Sequence, residues 1–426
     1  MSNSIRWRAI GANSFWVFLA TFSQAFTQWA IMAIIARQDG PIALGNYALA
    51  QAFANPAGYL AWLNLRQQYV ISKLENSGWP DFLFLRTVVS TVVFVAIVAG
   101  IYFYYQDPDI FGVAAGVFIV KHAEGLFDLS YGRLQFERRM TQLGKYSAAR
   151  AILSVPIFYL FYRLTSDLTV ALALFALFNY AFFGFQSLML KMELLPAGLF
   201  DFSAERSRSR FNLTVYLVPL AVSSVMMALV TSVPRFTLEF SVGAAELGRF
   251  AAVAHFLAVG SVVVGSMAHA LAPPLAAARD SRNVRTFLTL VYGPSIAIQL
   301  LCLVAILVAA LVGDALVAGI YGAAFTDGKQ LLIWASIAAG PVYAVAIAGF
   351  GCYTLQKKAT FFWIQTAGVV IVGLVTLVFA PNLRANAAFL AMAVCGLAQI
   401  LAFTVVFWNT AREWASENAA TASARV

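Results

Sequence analysis

Twelve long apolar runs, separated by short polar segments, set what this chain can become. They fall at 14–36, 45–63, 84–104, 111–129, 148–162, 168–190, 213–232, 247–270, 287–312, 331–350, 362–379 and 387–408. Roughly 17–25 residues of helix cross a bilayer. Hydrocarbon offers no water to backbone N–H and C=O groups, so a crossing segment must satisfy them internally, as a helix does. A soluble 426-residue protein has no interior for so many runs: 61% of the residues are hydrophobic, 11% are charged and the mean hydropathy is +0.79. Ordinary soluble domains carry about 25% charged residues. The expected fold class is an all-α polytopic membrane protein of about twelve transmembrane helices. The first run is too long for a signal-peptide core and lacks a convincing cleavage site, so it is expected to remain as a span.

Basic residues orient these spans. With the N-terminus in the cytoplasm, the inner segments hold 21 of the 28 Lys and Arg residues, among them Lys73, Arg138, Arg139, Arg206 and Arg412. The outer segments keep Arg37, Arg163, Arg235, Arg249, Lys329 and Arg384. This positive-inside asymmetry predicts that both termini are cytoplasmic. It also accounts for the formal charge of +9 without nucleic acid, with anionic lipid as the neighbour of the basic face. Cys302, Cys352 and Cys395 lie in apolar runs at wide spacing, which excludes a disulfide framework or a zinc site. No metal or cofactor is expected.

The decapeptide LGNYALAQAF at 44–53 returns as LGRFAAVAHF at 247–256, 203 residues later. Leu44, Gly45, Ala48 and Phe53 meet Leu247, Gly248, Ala251 and Phe256, and Tyr47 meets Phe250. The copies open the second and eighth runs, so both enter the membrane from the same side. Parallel six-helix repeats about an axis along the membrane normal follow, as in several secondary transporters; coincidence between two Ala-rich helices is the competing account. The repeat predicts an N-terminal six-helix lobe over 1–195, a cytoplasmic interlobe linker over 196–212, a C-terminal lobe over 213–410 and a disordered cytoplasmic tail over 411–426. Helices two and eight should face each other across a central cleft. The connection between the lobes contains LLPAGLF and is expected to lie along the membrane surface.

Several of these segments resemble a known family. LGNYALAQAF after a first span, YGRLQFERRM after the fourth, ELGRFAAVAHF followed by ALAPPLAAARD, and IYGAAF before the tenth are similar to the polysaccharide-exporter branch of the multidrug/oligosaccharidyl-lipid/polysaccharide (MOP) superfamily. That branch includes the Wzx-type O-antigen flippases. The resemblance extends over nearly the whole chain. It implies a MATE-like fold of two six-helix lobes that rock around a cationic central cavity in the bacterial inner membrane. It also implies a substrate: an undecaprenyl-pyrophosphate-linked oligosaccharide, the unit of an O-antigen, capsule or exopolysaccharide, moved from the inner to the outer leaflet. The partners so implied are the lipid-linked oligosaccharide, membrane lipids, a polysaccharide polymerase and a chain-length regulator, with no nucleic acid.

The residues themselves offer a candidate for that cavity. Lys121 lies about ten residues into the fourth run, roughly 15 Å along at about 1.5 Å per residue, near the bilayer midplane. A charge there costs on the order of 3 kcal/mol on insertion scales. Lys121, Glu124 and Asp128 are spaced i, i+3, i+7 and share one helix face, which must turn away from lipid. Two accounts stand: an ion pair that fixes packing, or a site in which Lys121 attracts the pyrophosphate while Glu124 accepts the competing charge, or a proton, on release. Gln24 and Gln28, one turn apart in the first span, either line the cleft or bond between helices. His255, inside the repeated decapeptide, either titrates near neutral pH or stays buried and neutral. Arg66 either meets the pyrophosphate on entry or snorkels to the headgroups. Arg235 and Arg249, near the outer face, either draw the phosphates outward or anchor helix ends.

Enzymatic readings have little to stand on. GAAFTDGKQ at 322–330 has the wrong glycine spacing for a phosphate loop and Gln where Ser or Thr would hold magnesium. Asp107-Pro108-Asp109 reads as a turn, not as the acidic pair of a membrane glycosyltransferase or polymerase, which remains the second alternative. The first is a MATE-like drug/cation antiporter, which would bury a cation-binding carboxylate; the first span has none. The expected activity is transport, not catalysis.

Overall fold

A computed structural model describes residues 3–71, 78–325 and 327–423. Lys73, one of the residues used above for orientation, lies outside them. Every regular element among the described residues is helical: α1 (Asn3–Trp62), α2 (Leu65–Ile71), α3 (Trp79–Tyr105), α4 (Pro108–Phe136), α5 (Met140–Thr165), α6 (Leu168–Met189), α7 (Ala204–Val242), α8 (Ala244–Asp280), α9 (Val284–Tyr321), α10 (Gly328–Thr354), α11 (Lys358–Leu383) and α12 (Asn386–Ser423). Ten of the helical stretches are long and apolar enough to cross a membrane. One of these, 15–70, holds the first two apolar runs on either side of Gly40, where the backbone leaves the helical region (φ 75°, ψ −163°). α5 has the length, but its first turns, MTQLGKYSAAR, dilute its hydropathy. The chain is an all-α polytopic membrane protein.

Local chemistry sets the helix boundaries. QDPDI is the start of α4: the Asp107 side chain accepts hydrogen bonds from the amides of Asp109 (2.8 Å) and Ile110 (3.2 Å), and Pro108 occupies the first turn. An Asp cap followed by proline satisfies amides that have no partner inside the helix. Asp167 caps α6 and Asn283 caps α9 in the same manner.

The chain forms two compact units, the first of residues 1–38 and 46–232, the second of 39–45 and 233–426. This departs from the expected division at 196–212, because the first part of α7 packs with the N-terminal helices. Arg206 Nε and Arg210 Nε both donate to Asp81 Oδ1, at 2.9 and 2.8 Å, and Asp81 is 2% exposed. Arg210 also donates to the carbonyls of Gly198, Leu199 and Asp201 and lies 4.0 Å over the Phe84 ring. One buried carboxylate thus fastens the connection and the start of α7 to α3. A second departure is at the C-terminus: α12 continues to Ser423, so 411–423 is helical where a disordered tail was expected. The stretch is rich in Ala and Glu, residues that favour helix without needing a packing partner.

In the first unit α4 packs against α3 and α6, with Phe127 in contact with Phe182 and Phe183 at the core. In the second, α10 is the central helix, flanked by α8, α9 and α12. The second unit also contains the starts of both repeat copies. Gly40 (φ 75°) and Gly243 (φ 85°), 203 residues apart, take the same left-handed backbone region, which costs glycine nothing. Five residues later the helices cross at Gly45 and Gly248. A Cβ on Gly45 would overlap the carbonyl of Ala244, and a Cβ on Gly248 would overlap the carbonyl of Pro41. Pro41 and Ala244 are equivalent in the repeat, so the contact is reciprocal, as a twofold relation requires.

Candidate functional site

The charged face of α4 lies inside the first unit. Lys121 is the fourteenth of the 29 residues of α4, at the middle of the helix. Its Nζ donates to Glu124 Oε2 at 2.9 Å, and the two side chains are 7% and 12% exposed. One turn further on, Asp128 accepts from Arg86 Nη2 at 2.9 Å and from Arg66 Nη1 at 3.3 Å. Arg66 also donates to Gln135 Oε1 at 3.4 Å. Arg86 is 1% exposed, sits 5.5 Å from the Trp62 ring, and leaves Nε and Nη1 without hydrogen-bond partners. Arg150 comes from α5, its guanidinium 4.2 Å over Phe127 and its Nη1 unpaired.

Of these side chains, Glu124 and Arg150 border a small polar cavity of ≈ 20 Å³. Its wall includes Gln24 and Gln28 of α1, Glu124 of α4, Arg150 of α5 and Asn179 of α6, together with Tyr47 and Gln51 from the first repeat copy. Gln51 Nε2 donates to Tyr47 Oη at 2.9 Å. That volume has room for about one water; a pyrophosphate enters only if the helices part. The cluster holds four cations, Arg66, Arg86, Lys121 and Arg150, against two carboxylates, Glu124 and Asp128. An excess of buried positive charge with unsatisfied N–H groups favours an anion, since buried donors without partners are costly.

The structure brings six of the nine sequence candidates into this region. Gln24, Gln28 and Glu124 share the cavity wall, Lys121 pairs with Glu124, and Asp128 pairs with Arg66. The other three lie in the second unit. His255 is buried in α8, at 8% exposure. Arg249 Nη1 donates to Glu246 Oε1 at 2.8 Å, and Glu246 Oε2 accepts the Ala385 amide at 3.2 Å, an arrangement that ties the start of α8 to the start of α12. Arg235 lies in α7 with Nε unpaired.

Arg86 and Arg150 were missed as site residues: both fall among the 21 basic residues assigned to the inner segments. Their positions inside the third and fifth apolar runs were the available signal. Tyr47 and Asn179 carried none, since neither is charged and only folding places them on the cavity.

No protein-family profile matches the chain. The capsular polysaccharide biosynthesis protein CapF of Staphylococcus aureus is 22% identical over 353 residues, covering 80% of this chain and 86% of the relative. Solved structures are similar across nearly the full length. An inward-facing multidrug resistance MATE-family transporter of the MOP superfamily superposes with a TM-score of 0.66 at 12% identity, covering 94% of this chain and 98% of the other. The lipid II flippase MurJ, in an inward closed conformation, gives 0.65 at 13% identity, covering 93% and 90%. A MOP-superfamily transporter from Pyrococcus furiosus gives 0.59 at 13%, covering 94% and 95%. With the residues quoted above, these likenesses give the chain the fold of the MOP-superfamily transporters and a resemblance to the polysaccharide-exporter branch.

Proposed function

We propose that this protein is a flippase that carries an undecaprenyl-pyrophosphate-linked oligosaccharide across the bacterial inner membrane by alternating access, with both termini in the cytoplasm. The observation that carries the reading is the cationic excess around α4. It is supported by the capsular polysaccharide relative and by the likeness to a lipid II flippase.

The chemistry follows from the pairing. At rest Glu124 neutralises Lys121, so the empty protein does not strand a charge in low dielectric. An entering pyrophosphate competes with Glu124 for Lys121, and Arg86 and Arg150 offer unpaired donors to the same anion. The Lys121–Glu124 pair opens when the anion binds and re-forms when it leaves. Binding thus differs between two states of one site, which a ligand needs if it is to shift a conformational equilibrium. Transport is expected to depend on an ion gradient or on the substrate gradient and to persist without ATP. A cationic-drug antiporter would instead need a net acidic site.

The test is a set of substitutions read by surface polysaccharide and by membrane abundance. Lys121→Ala should abolish export even in the protein that reaches the membrane, and Lys121→Arg should keep partial activity because the charge persists in a bulkier group. The double change Lys121→Met with Glu124→Met removes both partners and should be stable and inactive. Restored export in that double variant sinks the binding role and leaves only a structural pair.

A further inference from the structure

The outward side of the first unit carries a feature that the charged core does not use. A groove of ≈ 620 Å³ runs between α3 and α4, within the range of about 300–1,000 Å³ common to small-molecule sites. Its lining between the flanking rings includes the small side chains of Ala99 of α3 and Ala115 of α4, which leave the middle hollow. Aromatic pairs bound the hollow: Phe94 and Phe118, centroids 5.2 Å apart, on one side, and Tyr102 and Phe111, also 5.2 Å apart, toward the Tyr105 end of α3. Val95, Tyr102 and Phe103 on its margin are 63%, 53% and 74% exposed, so none of the described residues covers it.

At mid-helix the groove ends on a hydrogen-bonded trio. Tyr180 Oη and His122 Nδ1 are 2.8 Å apart, and His122 Nε2 and Thr91 Oγ1 are 3.3 Å apart. The Thr91 hydroxyl proton is already donated to the Thr87 carbonyl at 2.8 Å. The trio closes consistently with Nε2–H donating to Thr91 and Nδ1 accepting from Tyr180, which leaves the imidazole neutral. The end wall asks for neither an anion nor a cation, and apart from the Tyr102 hydroxyl the rest of the lining is apolar. The occupant is therefore a hydrocarbon chain.

Its shape selects among hydrocarbons. A straight acyl chain is uniformly thin and leaves the Ala99–Ala115 hollow unfilled, whereas a prenyl chain carries a methyl branch and a double bond in every unit. The branches fill the hollow and the double bonds lie against the flanking rings. His122 also follows Lys121 in sequence, about a quarter turn round α4, so the groove and the charged core sit at one level on two faces of one helix. We propose that this groove holds a stretch of the polyprenyl tail of the lipid-linked substrate, an inference that rests on the flippase reading above.

The probe is undecaprenol, which has the tail and no phosphate, added to the purified full-length protein in phosphatidylcholine nanodiscs. A diazirine-bearing prenol should label peptides from 91–103 and 111–122 of the wild-type chain. Ala115→Phe, which fills the hollow, should bind undecaprenol about tenfold more weakly, as should Val98→Trp from the opposite helix, while the double change Gln365→Leu with Gln399→Leu in the second unit should bind it normally. Labelling elsewhere in the wild-type chain overturns the proposal. So does displacement of the prenol by an equal concentration of dioleoyl phosphatidylglycerol, which would make the groove an ordinary acyl-chain site. Undecaprenol binding without any oligosaccharide transport would remove the flippase reading and the assignment to its substrate together. Normal transport with undecaprenol unbound would remove the groove alone.

Discussion

The two units share a helical plan and differ in what they bury. The first buries Asp81, Arg86, Lys121, Arg150 and Arg210, besides Asn179 and Gln186. In the second, the buried polar side chains among the described residues are His255, Ser295, Gln365, Thr376, Gln399 and Thr410, with no Asp, Glu, Lys or Arg. The contrast is sharp between the fourth and tenth spans, which correspond in a six-helix repeat. α4 carries Lys121, Glu124 and Asp128 at its centre, whereas α10 has only Lys329, at its first turn. α10 instead packs closely, with a Cβ at Gly340 overlapping the Gln299 amide and one at Gly351 within 3.1 Å of Phe407. Charge buried in a membrane protein is costly and marks function more often than packing does.

The largest expected break in this comparison comes from Asp128→Asn. It leaves Arg86, 1% exposed, and Arg66 without their carboxylate. Removing one member of a buried pair typically costs about 3–5 kcal/mol, so the thermal midpoint of the purified protein should fall sharply and membrane abundance with it. An unchanged midpoint would mean that the charged core is not held by its pairs.

Next in size are Gly45→Ala and Gly248→Ala. Each adds a methyl where a backbone carbonyl lies, and overpacking of this kind costs about 1–3 kcal/mol. Because the contact is reciprocal, the two variants should shift the denaturation midpoint by similar amounts. A large effect from one and none from the other would break the twofold account of the crossing.

In the second unit, Gln399 Nε2 donates to Gln365 Oε1 at 3.0 Å, both buried. Replacing both by Leu removes donor and acceptor together, which is close to neutral, within about 1 kcal/mol. Export should survive, in contrast to the inactive Lys121→Met, Glu124→Met pair. Loss of export in the double leucine variant would give the second unit chemistry of its own.

The smallest effect belongs to Glu137, just past the end of α4. Partial burial pushes its carboxyl upward, but hydrogen bonds from Arg133 and Arg139 overcome this and hold it below the ordinary carboxylate range. A depressed carboxyl stabilises the fold above its unfolded pKa and loses that contribution as pH falls through the folded value. Glu137→Gln should therefore lower the midpoint slightly at neutral pH and flatten the acid side of the stability profile. The same acid slope in the variant and the parent would exclude Glu137 as its source.

The all-α membrane-spanning class and the charged face of α4 were legible because each is local. A bilayer demands a fixed length of apolar helix, and a charge at i, i+3, i+7 inside such a run has one face to share. The repeated decapeptide was legible by its offset alone, and it located both Gly45 and Gly248. What a linear reading misplaced was ownership: the connection at 196–212 looked like a border, and Asp81 made it part of the first unit by binding Arg206 and Arg210 across more than 120 residues.

By itself, then, the sequence determined that the chain spans a membrane as helices, with charge at the centre of the fourth span, because hydropathy and helical period act over a few turns. Only the tertiary structure decided which charges meet between helices. The i+3 spacing within α4 already set Glu124 beside Lys121, but Asp128 meets Arg86 and Arg66 only because α2 and α3 pack beside α4. Whether two aromatic pairs leave a hollow between them depends on the relative rotation of α3 and α4, a property of packed surfaces that no single helix carries.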